Sequence, residues 1–139
     1  MPRLVPSLAA AATFAAAAAC SNPTTPTQTP TTPPVSLTET FSQTLGPNGA
    51  VVFPFNATGA GAVTASLSTI SPDSTLNLSI DLGTWNGATC NIQFTTQPAT
   101  QGAVVGATAT SAGSLCARVS DPSSVIVSGE SIIVTVTHF

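Results

Sequence analysis

From Leu37 to the last residue the hydrophobic pattern repeats every two residues, and that period decides what the chain can fold into. Leu37-Thr-Glu-Thr-Phe41-Ser-Gln-Thr-Leu45 is one run, closed by Gly46-Pro47-Asn48-Gly49. Alternation of this kind sends successive side chains to opposite faces of a strand, and the turn residues keep neighbouring runs separate. Val51, Phe53, Phe55 and Ala57 follow, with Pro54 on the opposite parity. Proline has no N–H to donate to a ladder, so this run belongs at a sheet edge or a bulge. Val63, Ala65 and Leu67 come next, before a Ser71-Pro72-Asp73-Ser74 turn. Leu76, Leu78, Ile80 and Leu82 alternate with polar residues, and Gly83-Thr-Trp85-Asn-Gly87 reads as a loop. Cys90, Ile92 and Phe94 mark a fifth run and residues 103–110 a weaker sixth. Leu115, Ala117 and Val119 form a seventh, and Ile132, Val134 and Val136 an eighth. No helical stripe interrupts them. About eight short strands at this spacing predict an all-β chain, an antiparallel β-sandwich of jelly-roll-like design. The predicted inward set is Phe41, Phe53, Phe55, Leu67, Leu76, Leu78, Ile80, Ile92, Phe94, Leu115, Val119, Val134 and Val136.

The N-terminal quarter obeys different rules. Residues 1–19, MPRLVPSLAAAATFAAAAA, have one early cation, an apolar middle and small residues at the end. That is the pattern of a secretory signal peptide, and the run is too short and too Ala-rich for a membrane span. Ala17-Ala18-Ala19-Cys20-Ser21 resembles a bacterial lipobox, in which the Cys is acylated and becomes the mature N-terminus. The rival is ordinary cleavage after Ala19, which leaves Cys20 as a free thiol. Several acyl chains, at about 0.8 kcal/mol per buried methylene, would hold the protein in a bilayer almost permanently. Ser21 after the Cys, rather than Asp, points to outer-membrane delivery if bacterial sorting preferences apply. Residues 20–36 then form a Thr/Pro-rich linker, with Pro23, Pro26, Pro30, Pro33 and Pro34 excluding helix and sheet. In polyproline II geometry, at about 3.1 Å per residue, the spacer reaches roughly 45 Å. The folded domain is expected over 37–139.

The chain has three cysteines. Lipidation of Cys20 leaves Cys90 and Cys116 as an even pair on separate strands of an exported protein, where a disulfide is expected. Cys90 falls on the inward parity, whereas Cys116 alternates with inward Leu115 and Ala117, so a bulge near Cys90 is needed to bring them together. Two Cys alone are too few for a metal site, and none is expected.

Only Arg3 and Arg118 are basic, and there is no Lys. Such a chain cannot neutralise a run of phosphates, which excludes nucleic acid as a partner. The acids are Glu39, Asp73, Asp81, Asp121 and Glu130, and the single His is His138. A Ser nucleophile would depend on this one terminal imidazole, and no Gly-x-Ser-x-Gly or His-Glu-x-x-His sequence occurs. His138 is expected as a solvated strand-end residue. Asp73 in a turn and Asp81 on a polar strand face are not expected to converge as a glycosidase pair. Turn-forming and solubilising roles account for Asp73, Asp121 and Glu130, and Arg118 is expected to project from the sheet face opposite the core, paired with an acid. Trp85 is the one residue whose type suggests recognition. A lone ring in a Gly-flanked loop stacks on a sugar, with Asn86 and Asp81 supplying hydrogen bonds, or it lids the end of the sandwich.

Phe41-Ser-Gln-Thr-Leu45, the Phe53-Pro-Phe55 strand, Leu76-Asn-Leu78-Ser-Ile80, Ala112-Gly113-Ser-Leu115-Cys-Ala117-Arg118-Val119 and the closing Ile132 to Thr137 strand resemble the bacterial pre-peptidase C-terminal domain family. The likeness covers about residues 37–139 and implies a β-sandwich module. Leu115 and Ile132 stand where that family usually has Tyr, and no calcium-binding acid cluster can be matched. The expectation from the sequence is therefore a non-catalytic protein without cofactors. A lipid would hold it in the bacterial envelope, with other envelope proteins or a polysaccharide as partners. The alternative is a carbohydrate-binding module using the Trp85 loop, and a small secreted hydrolase is the third class.

Overall fold

The computed structural model describes residues 35–139. The expected signal peptide, Cys20 and nearly all of the Thr/Pro linker lie outside the described residues. Eight strands occupy the rest: β1 (Leu37–Leu45), β2 (Ala50–Ala57), β3 (Gly61–Ser71), β4 (Leu78–Trp85), β5 (Cys90–Ala99), β6 (Val104–Ala109), β7 (Gly113–Ser120) and β8 (Glu130–His138). They form two four-stranded antiparallel sheets, ordered β1-β8-β3-β6 and β2-β7-β4-β5, and the chain is an all-β sandwich. The pairs β1·β8, β2·β7, β3·β6 and β4·β5 are the pairs of one long hairpin, first strand against last and inward from there. Rolled into two layers, that hairpin is a jelly roll, a double-sheet way of folding eight strands.

The inner faces supply the core. Leu67, Leu78, Ile80, Val119, Val134 and Val136 are fully buried, as the alternation predicts, and Leu45, Ile70, Ile126 and Ile132 join them. Phe41, Leu76 and Leu115 are only half-buried against this cluster. Leu76 lies before β4 begins, so it packs from a connection rather than a strand.

Two predicted core residues are not in the core. Ile92 is 36% exposed and Phe94 48% exposed. A register shift between Leu82 and Gly83 explains both: Leu82 faces Phe94 across the ladder, but Gly83 faces Ile92, so Gln93 is the extra residue of a β-bulge. The bulge puts Phe94 in the inward cross-strand row Phe53–Ala117–Leu82 and Ile92 in the outward row Pro54–Cys116–Gly83. Because β5 is an edge strand, Phe94 has a neighbour on one side only and keeps half its surface.

All four edges carry features that oppose further pairing. Pro54 lies in β2, which is an edge as the sequence predicts. β5 has two register shifts and Pro98. β1 directs Glu39 inward to His138. β6 is the shortest strand, and Thr96 of β5 donates to its Val104 carbonyl at 3.2 Å.

The outer face of the first sheet is a neutral hydroxyl surface. Thr38, Thr40, Ser42 and Thr44 of β1 stand beside Thr137, Thr135, Ile133 and Ser131 of β8, with Thr64, Ser66, Thr69 and Ser71 of β3 beyond. Cross-strand bonds tie some of them together, Thr38 to Thr137 at 3.1 Å and Ser68 to Thr135 at 2.8 Å.

Candidate functional site

The ionisable groups of the described residues are all engaged by the domain itself. Asp81 sits on the outer face of central strand β4, yet it is only 3% exposed, which the simple alternation of that strand does not predict. Its Oδ1 accepts from the Ser79 hydroxyl at 2.9 Å and its Oδ2 lies 3.5 Å from Arg118 Nη1. Arg118 and Asp81 are direct cross-strand partners on β7 and β4, so the sheet register places them together. The expected pairing of Arg118 with an acid on the face away from the core is therefore present.

Asp121 organises the turn between β7 and β8. Burial raises its carboxyl, but the amides of Val125, Ile126, Asn48 and Ser123 outweigh this and hold it below the usual carboxylate range. Three of those amides donate at 2.9 Å (Val125), 3.0 Å (Ile126) and 3.3 Å (Asn48). Asp73 accepts from the Thr75 hydroxyl at 2.6 Å and the Thr75 amide at 2.9 Å, which lowers its carboxyl in that order. That is a turn made by the side chain, as expected for this residue. Glu130 is buried rather than solubilising, and accepts from the Asp73 amide at 3.1 Å.

His138 corrects the sequence expectation most sharply. It is not solvated: its side chain has 0% exposure, and its ring lies 5.1 Å from that of Phe55. The inward parity of β8 runs Ile132, Val134, Val136, His138, so the imidazole is the last member of the core row. Its Nε2 donates to Glu39 Oε1 at 2.8 Å, since a carboxylate can only accept. Burial behind Phe55 removes the His from any surface where a Ser nucleophile could use it.

Cys90 and Cys116 form a disulfide with Cα atoms 5.8 Å apart. The predicted bulge is present, at Gln93, and it moves Cys90 to the outer parity that Cys116 already occupies. Cys116 lies on β7 and Cys90 on β5, with β4 between them. The bridge is feasible because Gly83 of β4 lies opposite Cys116, and a Cβ there would overlap the carbonyl of Asn91. Without that Cβ, the start of β5 closes over Gly83 and brings Cys90 across. Gly83 and Trp85 are thus strand residues of β4, not the loop the sequence suggests.

Trp85 faces outward, opposite Cys90, at the end of β4. The hairpin after it is shaped by Asn86, whose Oδ1 accepts from the Ala88 and Thr89 amides at 2.9 and 2.8 Å. Asn86 Nδ2 donates to the Thr89 hydroxyl at 2.8 Å, and Gly87 takes the left-handed turn with φ of +95°. Trp85, Asn86 and Gly87 line one wall of an open concavity of about 560 Å³, and Pro54, Asn56 and Ser114 line another. Of the three candidate recognition residues, the structure keeps Trp85 at this concavity and commits most of Asn86 to its own turn. Asp81 is removed altogether, four residues back along the strand, about 13 Å at the usual rise. Asn56 and Ser114, joined by a 2.8 Å hydrogen bond, take its place as polar neighbours. Sequence reasoning missed them because their link is the β2·β7 register, in which the two are opposite each other.

Among the described residues, no group of three or more His, Cys, Asp or Glu side chains is placed to hold a metal ion. No known family model matches the chain, and no curated protein matches it.

Proposed function

We propose that the chain is a non-catalytic envelope protein, a β-sandwich interaction module of the pre-peptidase C-terminal type carried on a lipidated Cys20 by the Thr/Pro spacer. The observation that supports it most is the use made of charge. Glu39, Asp73, Asp81, Asp121, Glu130, Arg118 and His138 each bond to another part of the same domain. An acid–base pair for catalysis needs groups within reach of a substrate, and these are spent on strands and turns. The Cys90–Cys116 bridge fits an oxidising compartment and leaves Cys20 as the odd thiol, which acylation consumes. The neutral hydroxyl face suits a domain displayed in solvent.

Fractionation of a bacterium that produces the full chain tests this reading. The wild-type protein is expected with the outer membrane and in the detergent phase, and Cys20→Ala in the soluble fraction. Identical behaviour of the two would remove the anchor.

A second reading has its own observation, the Trp85 concavity with Asn56 and Ser114 beside it. It is the arrangement of a small saccharide site, an aromatic face with neutral hydrogen-bonding groups at its edge. Titration of Trp85 emission with soluble polysaccharides is expected to saturate with one glycan if the site is used, and to stay flat if Trp85 only packs.

A further inference from the structure

The two flanks of the sandwich are closed differently. On the β1/β2 side, Phe41 stacks on Phe53 with centroids 5.6 Å apart, and Phe55 meets His138 at 5.1 Å. Large rings from one sheet there meet large partners from the other. On the β5/β6 side the sizes do not match. The first sheet offers Val63 of β3 with Ala107 and Ala109 of edge strand β6, against Leu82, Phe94 and Leu115 of the second. Interiors are normally filled to crystal-like density, but here a cleft of about 360 Å³ remains between the layers. Phe94, in the inward row with Leu82, borders it and stays 48% exposed.

The cleft has a polar end. Ile80, Leu82 and Thr84 share the inward parity of β4, so Thr84 is the hydroxyl of that row, and it borders the cleft. Thr110 and Ser111 of the β6–β7 connection lie at the same mouth. No ionisable side chain lines the cleft. A charged ligand would find no counter-charge there. A neutral one needs none. The volume lies at the small end of the range for ligand sites, which are mostly apolar with a few placed polar groups.

We propose that the β5/β6 cleft binds a neutral single-chain lipid, with its apolar body between Phe94, Leu82 and Ala107 and its hydroxylated or ester end at Thr84 and Thr110. This site adjoins the Trp85 concavity through Ser114, which borders both, but its apolar walls lie on the inner side of the sheet and Trp85 on the outer side, and it does not depend on the function proposed above.

The test uses the full chain with Cys20→Ala, so that no attached acyl chain competes. The probe is N-phenyl-1-naphthylamine, neutral and apolar, with Trp85 as the single tryptophan energy donor. Saturable probe emission with transfer from Trp85 is expected, displaced by a monoacylglycerol and at least tenfold less well by the fatty-acid anion of equal length. Ala107→Phe, which fills the cleft, is expected to weaken probe binding at least tenfold. Ala109→Leu serves the same purpose if the first variant fails to unfold cooperatively. Trp85→Phe should abolish the transfer and keep the probe's direct signal. The proposal is overturned by non-saturable emission, by unchanged binding in a folded cleft-filling variant, by equal displacement with the anion, or by loss of direct signal in Trp85→Phe.

Discussion

The Nε2 atom of His138 and the Oε1 atom of Glu39 stand 2.8 Å apart, the imidazole fully buried and the carboxylate at the rim of the sandwich. The pair joins the last inward position of β8 to edge strand β1. It satisfies a buried polar ring and places an inward charge on an edge that would otherwise be open to pairing. Glu39→Ala leaves the imidazole short of a partner and is expected to destabilise the domain by about 1–3 kcal/mol. Glu39→Gln, which keeps an acceptor, should lose less than half of that. Urea unfolding of the two variants gives the comparison, and equal losses would show that a neutral acceptor does not satisfy the ring.

Reduction of the Cys90–Cys116 bridge opens a 26-residue separation. In the chain-entropy account the unfolded state gains enough freedom to cost about 3–4 kcal/mol. Cys90→Ala/Cys116→Ala should unfold at correspondingly lower urea, and reductant should shift the wild-type midpoint but not that of the double variant.

Gly83→Ala is expected to be worse than an ordinary strand substitution. The added Cβ meets the Asn91 carbonyl, so β5 must move off β4. The cost should be about 1–3 kcal/mol of overpacking, and the displaced strand should slow formation of the disulfide in oxidative refolding. An Ala variant with normal stability and bridge formation would contradict the closure of β5 over this residue.

Asp121 gives a pH dependence of known sign. Its folded-state carboxyl lies below the ordinary range, so its stabilisation is fully present above about pH 4 and is lost as the pH falls through that value toward the folded one. Asp121→Asn should therefore be less stable than wild type at pH 7, with the gap narrowing below about pH 4. A gap that widens on acidification would reverse the assignment.

How far the sequence predicts this structure depends on what period two can report. It places residues on alternate faces, and so the first strand is legible in advance; Pro54 at an edge follows instead from the missing proline N–H, and the Cys90–Cys116 pairing from the count of cysteines, against the parity. The period does not report insertions. The single bulge residue Gln93 changes the parity of everything before it in β5, and Cys90 and Ile92 come out on the face opposite to the one expected. Nor does it report lateral cover. Ser79 and Asp81 read as solvent-facing, yet a central strand has neighbours on both sides, and both residues are buried. His138 is the converse case: the apolar alternation of β8 continues through it, and treating it as a terminal polar residue conceals its place in the core row.

For the candidate sites the limit is similar. Trp85 is conspicuous by type, but Asn56 and Ser114 reach it only through the pairing of β2 with β7. The β5/β6 cleft arises from a size mismatch between layers, and no linear pattern records which small residue will face which large one.

The central claim, a disulfide-closed domain held to the envelope by a lipidated Cys20, is tested most directly by the intact mass of the full chain purified from the bacterial envelope and exposed to maleimide under denaturing, non-reducing conditions. The account predicts a mature chain beginning at Cys20, heavier than its sequence by the attached acyl chains, with none of its three cysteines labelled. A chain of unmodified mass that takes up one maleimide at Cys20 would contradict it.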